Sequence, residues 1–145
     1  MDNNFKSEKI NPNKSRTCVY DLHYHLVWVT KYRYKAFNDP KIINALKQRL
    51  LFIARQNDVD IEAMEVMSNH IHLLISAKPK YNITTIIRNF KGNTGRWLFE
   101  NYPIMRTYFH HNHIWSHSYY VGSVGNTNKN VIEHYINTQK ERDSK

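Results

Sequence analysis

DIEAMEVMSNHIHLLISA, residues 60–77, is the stretch from which the fold is read. Asp60 to Met67 and His70 to Ala77 are rich in aliphatic residues and are separated by Ser68-Asn69, which predicts two strands joined as a tight hairpin. Side chains alternate along a strand, so Ile71, Leu73 and Ile75 point one way while His70 and His72 point the other. The apolar set belongs to a core. The two imidazoles are then presented on the opposite face with Cα atoms roughly 7 Å apart, a separation from which both reach one metal ion or one phosphate. Spacing alone equally allows two surface histidines satisfied by hydrogen bonds.

On the N-terminal side, Val19 to Thr30 (VYDLHYHLVWVT) reads as a strand, with Leu22, Tyr24, Leu26 and Trp28 alternating against Asp21, His23 and His25. A basic turn follows around Lys31, Arg33 and Lys35. In Asn38-Asp39-Pro40, Asp39 is suited to cap a helix and Pro40 to open it. Ile42, Ile43, Leu46, Leu50, Ile53 and Ala54 recur at helical spacing, carrying that helix to about Gln56.

On the C-terminal side, a second helix after Lys78-Pro79-Lys80 has the apolar stripe Ile83, Ile86, Ile87, Phe90, Trp97 and Leu98, with Arg88, Lys91, Gly92, Gly95 and Arg96 off it. A polar and aromatic connection leads to a short fourth strand, Ser118 to Val124, in which Tyr119 and Tyr120 face opposite ways and at least one is expected in the core. Gly125 to Asn128 then leads into a last helix from about Lys129 to Lys140. The order predicts an α+β fold: a ferredoxin-like, RRM-like antiparallel sheet (βαββαβ) with an added C-terminal helix. Helices on one face would leave the other for chemistry.

The 145 residues, 41% apolar, suffice for one core, expected over residues 18–145 behind a flexible polar tail, residues 1–17. Lys and Arg number 21 against 12 Asp and Glu, a formal charge of +9, which favours a polyanionic partner. The single cysteine, Cys18, excludes an internal disulfide and a multi-cysteine zinc site. There is no signal-peptide pattern and no apolar run near the ~18 residues of a membrane span, so the cytoplasm is the expected compartment.

Tyr135 and Gln139 are four apart on the last helix and share a face. They offer a phenol and a carboxamide to one point, but Tyr135 equally suits a docking stripe with Val131, Ile132 and Ile136. His134 lies roughly 100° around the helix from Tyr135. Lys31, Arg33 and Lys35 interleave with Tyr32 and Tyr34, and Arg88, Lys91 and Arg96 form a second basic cluster. Both suit phosphate contacts and base stacking, and both also suit a solvated face.

In order along the chain stand Tyr24-His25-Leu26-Val27-Trp28 with Lys31-Tyr32-Arg33, Asn69-His70-Ile71-His72-Leu73-Leu74, Trp115-Ser116 with Tyr119-Tyr120-Val121-Gly122-Ser123-Val124-Gly125, and Tyr135-Ile136-Asn137-Thr138-Gln139. From about Val19 to Gln139 this resembles the single-tyrosine HUH transposases of the insertion sequence 200/605 family. The resemblance implies that His70 and His72 bind Mg²⁺ or Mn²⁺, that Gln139 completes the protein ligands, and that Tyr135 attacks the scissile phosphate of single-stranded DNA near a bound hairpin. It further implies DNA contacts through the two basic clusters and a homodimer whose tyrosine helix can complete the partner's His pair, with cis and trans placement both open. A fourth strand at the sheet edge would allow such a dimer by strand pairing. Two rivals remain: a relative that processes dispersed palindromic repeats with identical chemistry, and a noncatalytic RNA-binding module on the same architecture. A histidine-triad hydrolase would need a histidine where Leu74 stands.

Overall fold

The computed structural model describes residues 13–14, 19–125 and 133–138. Most of the expected tail and residues Val131, Ile132 and Gln139 therefore lie outside the described residues. The expected first strand is broken: β1 (Asn13–Lys14) pairs with β2 (Val19–Tyr20) in a small ribbon, and β3 (His23–Thr30) begins afresh.

The remaining order is α1 (Pro40–Gln56), β4 (Asp60–Val66), β5 (His70–Ser76), α2 (Ile83–Asn101), the single turn α3 (Met105–Tyr108) and β6 (Trp115–Val124). Four strands form one sheet in the order β4-β5-β3-β6, every adjacent pair antiparallel. This is the ferredoxin-like arrangement expected from the sequence. Asp39 caps α1 by accepting from the Lys41 amide at 2.9 Å with Pro40 at the start, and Asn82 caps α2 in the same way.

The main core fills one side of the sheet. Leu26, Trp28, Val66, Ile71, Leu73 and Ile75 meet Leu46, Leu50 and Ile53 of α1 and Ile86, Ile87, Phe90 and Leu98 of α2. The stripe on α2 is shifted from the expected one, since Thr94 and Phe99 are buried while Ile83 and Trp97 are partly exposed. Thr94 is tolerable in that position because its hydroxyl donates to the Phe90 carbonyl and accepts from the Trp115 indole at 3.0 Å.

The other side of the sheet carries a small second cluster of Ala63, Leu74, Val124 and Ile136. Ile136 belongs to the helical residues 133–138, labelled α4, so α4 docks on the face that α1 and α2 leave open. β6 is longer than expected and lies at the sheet edge. The expectation that Tyr119 or Tyr120 packs in the core fails for this reason: an edge strand has a neighbour on one side only, and the two tyrosines remain 42% and 56% exposed.

Candidate functional site

Strand register assembles the open face. Glu65, His72, Val27 and Tyr120 are cross-strand partners in one row, and Ala63, Leu74, His25 and Gly122 in the next. His70 stands beyond His72 on the same side, at a ring-centroid separation of 4.7 Å. His25 meets His72 edge-on at 5.6 Å and Tyr120 edge-on at 5.7 Å. Four rings from three strands thus run in a chain across the sheet.

Each histidine is held differently. His70 Nδ1 lies 2.7 Å from the Asn69 side-chain oxygen. With that oxygen as acceptor, Nδ1 carries the proton and Nε2 the lone pair. His72 is buried, and across from it the buried Glu65 accepts from the Val66 amide at 3.0 Å and faces Lys47 Nζ at 3.4 Å. Burial pushes His25 below the ordinary histidine value, which favours its neutral form.

The donor set bears on a metal. Two rings 4.7 Å apart on one face can aim nitrogens at one ion within the roughly 2.1 Å of a metal–imidazole bond. A histidine ligand also generally gives its other N–H to a carbonyl or carboxylate, as the Asn69–His70 contact does. Among the described residues no three His, Cys, Asp or Glu side chains are grouped to hold an ion. The pair fits an ion completed by oxygen ligands, such as a carboxamide, phosphate or water.

At the far end of the face, Ile136 is wholly buried while its neighbour Tyr135 is 51% exposed. Tyr135 is therefore not a core residue of the docking stripe; Ile136 fills that role. His134 is exposed. Gln139 lies outside the described residues.

The basic clusters lie elsewhere. Lys31, Tyr32 and Arg33 form a 3-10 turn in which Tyr32 and Arg33 adopt positive φ of 57° and 56°, leaving Tyr32 91% exposed. Tyr34 packs on Tyr108, with centroids 4.8 Å apart, and Lys35 is exposed. On α2, Arg88 is exposed, and Lys91 and Arg96 line a cleft of about 530 Å³ with Arg106, His113, Trp115 and His117. Lys91 does more than present charge: its ammonium donates to the carbonyls of Ser116 at 2.7 Å and His117 at 3.2 Å.

Three residues of this face were not singled out by sequence reasoning. Asn69 reads as a turn residue, but its position just before the His pair was an available signal. His25 alternates to the correct side, yet its contact with His72 depends on β3–β5 register. Tyr120 was read only as a possible core residue of the fourth strand, and its neighbour Gly122 was not connected to it.

The family model described as "Transposase IS200 like" matches residues 18–139. The ISDra2 transposase TnpA of Deinococcus radiodurans is 35% identical over 130 residues, covering 90% of this chain and 92% of that protein. The transposase for insertion sequence element IS200 of Salmonella typhimurium is 31% identical over 125 residues, covering 86% and 80%. A crystal structure of a Deinococcus radiodurans protein assigned as a transposase superposes with a TM-score of 0.73 at 35% identity, covering 88% of this chain and 97% of that one. A REP-associated tyrosine transposase bound to a REP hairpin shares the fold, with a TM-score of 0.64 at 12% identity over 90% of this chain and 74% of that one. Matched along nearly its whole length, with its paired histidines on the open face of a ferredoxin-like sheet, the chain belongs to the IS200-like transposase family.

Proposed function

We propose that this transposase cleaves and rejoins single-stranded DNA beside a hairpin, with Tyr135 as nucleophile and a divalent ion, Mg²⁺ or Mn²⁺, held by His70, His72 and Gln139. The observation that carries the reading is the shared face: the His70–His72 pair and the docked helix bearing Tyr135 lie on the side of the sheet that α1 and α2 leave open. A noncatalytic RNA-binding module gives no reason for that arrangement.

An ion bound there would polarise the scissile phosphate and stabilise the charge that develops on its oxygens. Asn69 orients His70. Tyr135 gives up its phenolic proton, and its oxygen attacks phosphorus while the bond to the DNA 3′-oxygen breaks. The 3′-oxygen leaves with a proton as a hydroxyl, and the 5′-phosphate remains on Tyr135. The phosphodiester count is unchanged, so a later 3′-hydroxyl reverses the step and restores the phenol without ATP. The exposed Lys35, Arg33 and Arg88 are suited to DNA phosphates. Lys31, and Arg96 and Lys91 at the cleft, extend that basic surface, which accords with the net charge of +9.

The assembly we propose is a homodimer. β6 supports it, being a 10-residue edge strand whose outer backbone groups are not used by this sheet. Exchange of α4 between subunits would make each active site composite, with Tyr135 and Gln139 acting in trans.

The test is incubation with single-stranded candidate ends carrying a hairpin, with Mg²⁺ or with excess chelator, followed by a denaturing gel. A metal-dependent covalent adduct is expected. Metal-independent cleavage would contradict the role of the His pair, and binding without cleavage would favour the noncatalytic module.

A further inference from the structure

His25 is an imidazole where an apolar ring would pack at less cost. Its Nε2 is buried and makes no hydrogen bond with any described residue, an arrangement that ordinarily costs stability. Its neighbours on the two flanking strands are rings: His72 edge-on at 5.6 Å on one side and Tyr120 edge-on at 5.7 Å on the other. Edge-on contacts of this kind restrict how each ring turns.

Tyr120 reaches His25 through space that Gly122 leaves empty. A Cβ at Gly122 would stand 2.5 Å from the Tyr120 hydroxyl oxygen, 3.0 Å from Cζ and 3.1 Å from Cε1. Those distances are closer than van der Waals contact allows, so any larger residue there would turn the tyrosine away. Gly122 is also the cross-strand partner of His25. Sequence and register thus build a three-part wedge, Gly122 under Tyr120, Tyr120 against His25, and His25 against His72.

We propose that His25 is a positioning residue for His72, wedged by Tyr120 so that its ring fixes the orientation in which His72 meets a metal ion. Residues supporting a ligand set metal affinity by holding the ligand in its binding rotamer. Asn69 reaches His70 through a hydrogen bond and the wedge reaches His72 through ring contact, while the two histidine rings also touch each other. The inference rests on the metal-binding reading given above.

Mn²⁺ uptake by the full-length protein, followed by loss of the free-ion paramagnetic resonance signal, tests it alongside hairpin binding and thermal melting. His25→Ala and Gly122→Ala are each expected to weaken Mn²⁺ binding about 10-fold, the lower end for groups that support a ligand, without changing hairpin binding. His25→Phe keeps a ring edge and is expected to restore most of the affinity. If the wild-type protein takes up no Mn²⁺, the metal reading fails and the proposal with it. If the wild type binds and His25→Ala binds equally well, the positioning role alone is overturned. A His25→Phe protein as weak as His25→Ala would assign the effect to the ring nitrogen and overturn the wedge. Should His25→Ala fail to fold, Gly122→Ala decides: unchanged Mn²⁺ affinity overturns the proposal.

Discussion

His70 and Asn69 are adjacent in sequence and joined side chain to side chain, with 2.7 Å between the ring Nδ1 and the amide oxygen. Asn69 is anchored in turn, since its carbonyl accepts from the Thr30 amide at 2.8 Å and its side-chain amide donates to the Arg33 carbonyl at 3.3 Å. The His pair is therefore tied to the loop that follows β3. Asn69→Ala is expected to weaken Mn²⁺ binding by about 10-fold or more and to leave hairpin binding unchanged. Equal Mn²⁺ affinity in the variant would show that the contact does not orient a ligand.

A second prediction concerns pH. His23 is buried between Glu62, 2.7 Å from Nδ1, and Asp21, 2.6 Å from Nε2. Burial pulls its pKa down, but the hydrogen bonds and charges of Glu62 and Asp21 outweigh it and hold the group above its ordinary value. A group raised on folding contributes stability that is fully present below its unfolded pKa, about 6.5, and that is lost as pH rises through the folded value. The melting temperature of the wild type should therefore fall on going from about pH 6 to pH 9 by more than that of His23→Gln. Parallel curves would contradict the clamp.

How far this site was legible varies by residue. Alternation alone put His70 and His72 on the face opposite Ile71 and Leu73, because a period of two is local to one strand. Asp39-Pro40 marked the start of α1 for an equally local reason. The His23 clamp was out of reach: a bulge between Ile61 and Ala63 sends Glu62 toward it across β5, and neither bulge nor register is written in a short window. Lys91 read as part of a basic cluster, but its two carbonyl partners come from β6, 25 and 26 residues later. Tyr119 and Tyr120 were misjudged because edge position is a property of the whole sheet.

The docking of α4 yields a third prediction. Ile136 is the described α4 side chain that packs with Ala63, Leu74 and Val124. Truncation of a wholly buried isoleucine removes about 2–5 kcal/mol of packing, more than a short surface helix can spare. Ile136→Ala should therefore release α4 without unfolding the sheet. Faster amide exchange across 133–138, retained hairpin binding and at least tenfold slower cleavage are expected. Unchanged exchange would mean that Ile136 is not the anchor.

A fourth prediction distinguishes cis from trans. In the single chain Ile136 docks on its own sheet, whereas the proposed composite site has α4 serving a partner. Mixing His72→Ala chains with Tyr135→Phe chains under conditions of subunit exchange should restore cleavage if α4 crosses or can change partners. Proven heterodimers without recovered cleavage would fix the active site within one chain.

The identity of the nucleophile is the central claim, and Tyr120 makes its test a sharp one. Tyr120 shares the open face, with its ring 5.7 Å from that of His25, so residue type and face together do not separate it from Tyr135. The most direct measurement is mass-spectrometric mapping of the covalent DNA adduct formed with a hairpin-bearing single strand and Mg²⁺. The phosphate is predicted on the peptide containing Tyr135, with no adduct from Tyr135→Phe and a full yield from Tyr120→Phe at saturating metal. An adduct on Tyr120, or one that persists in Tyr135→Phe, would contradict the account.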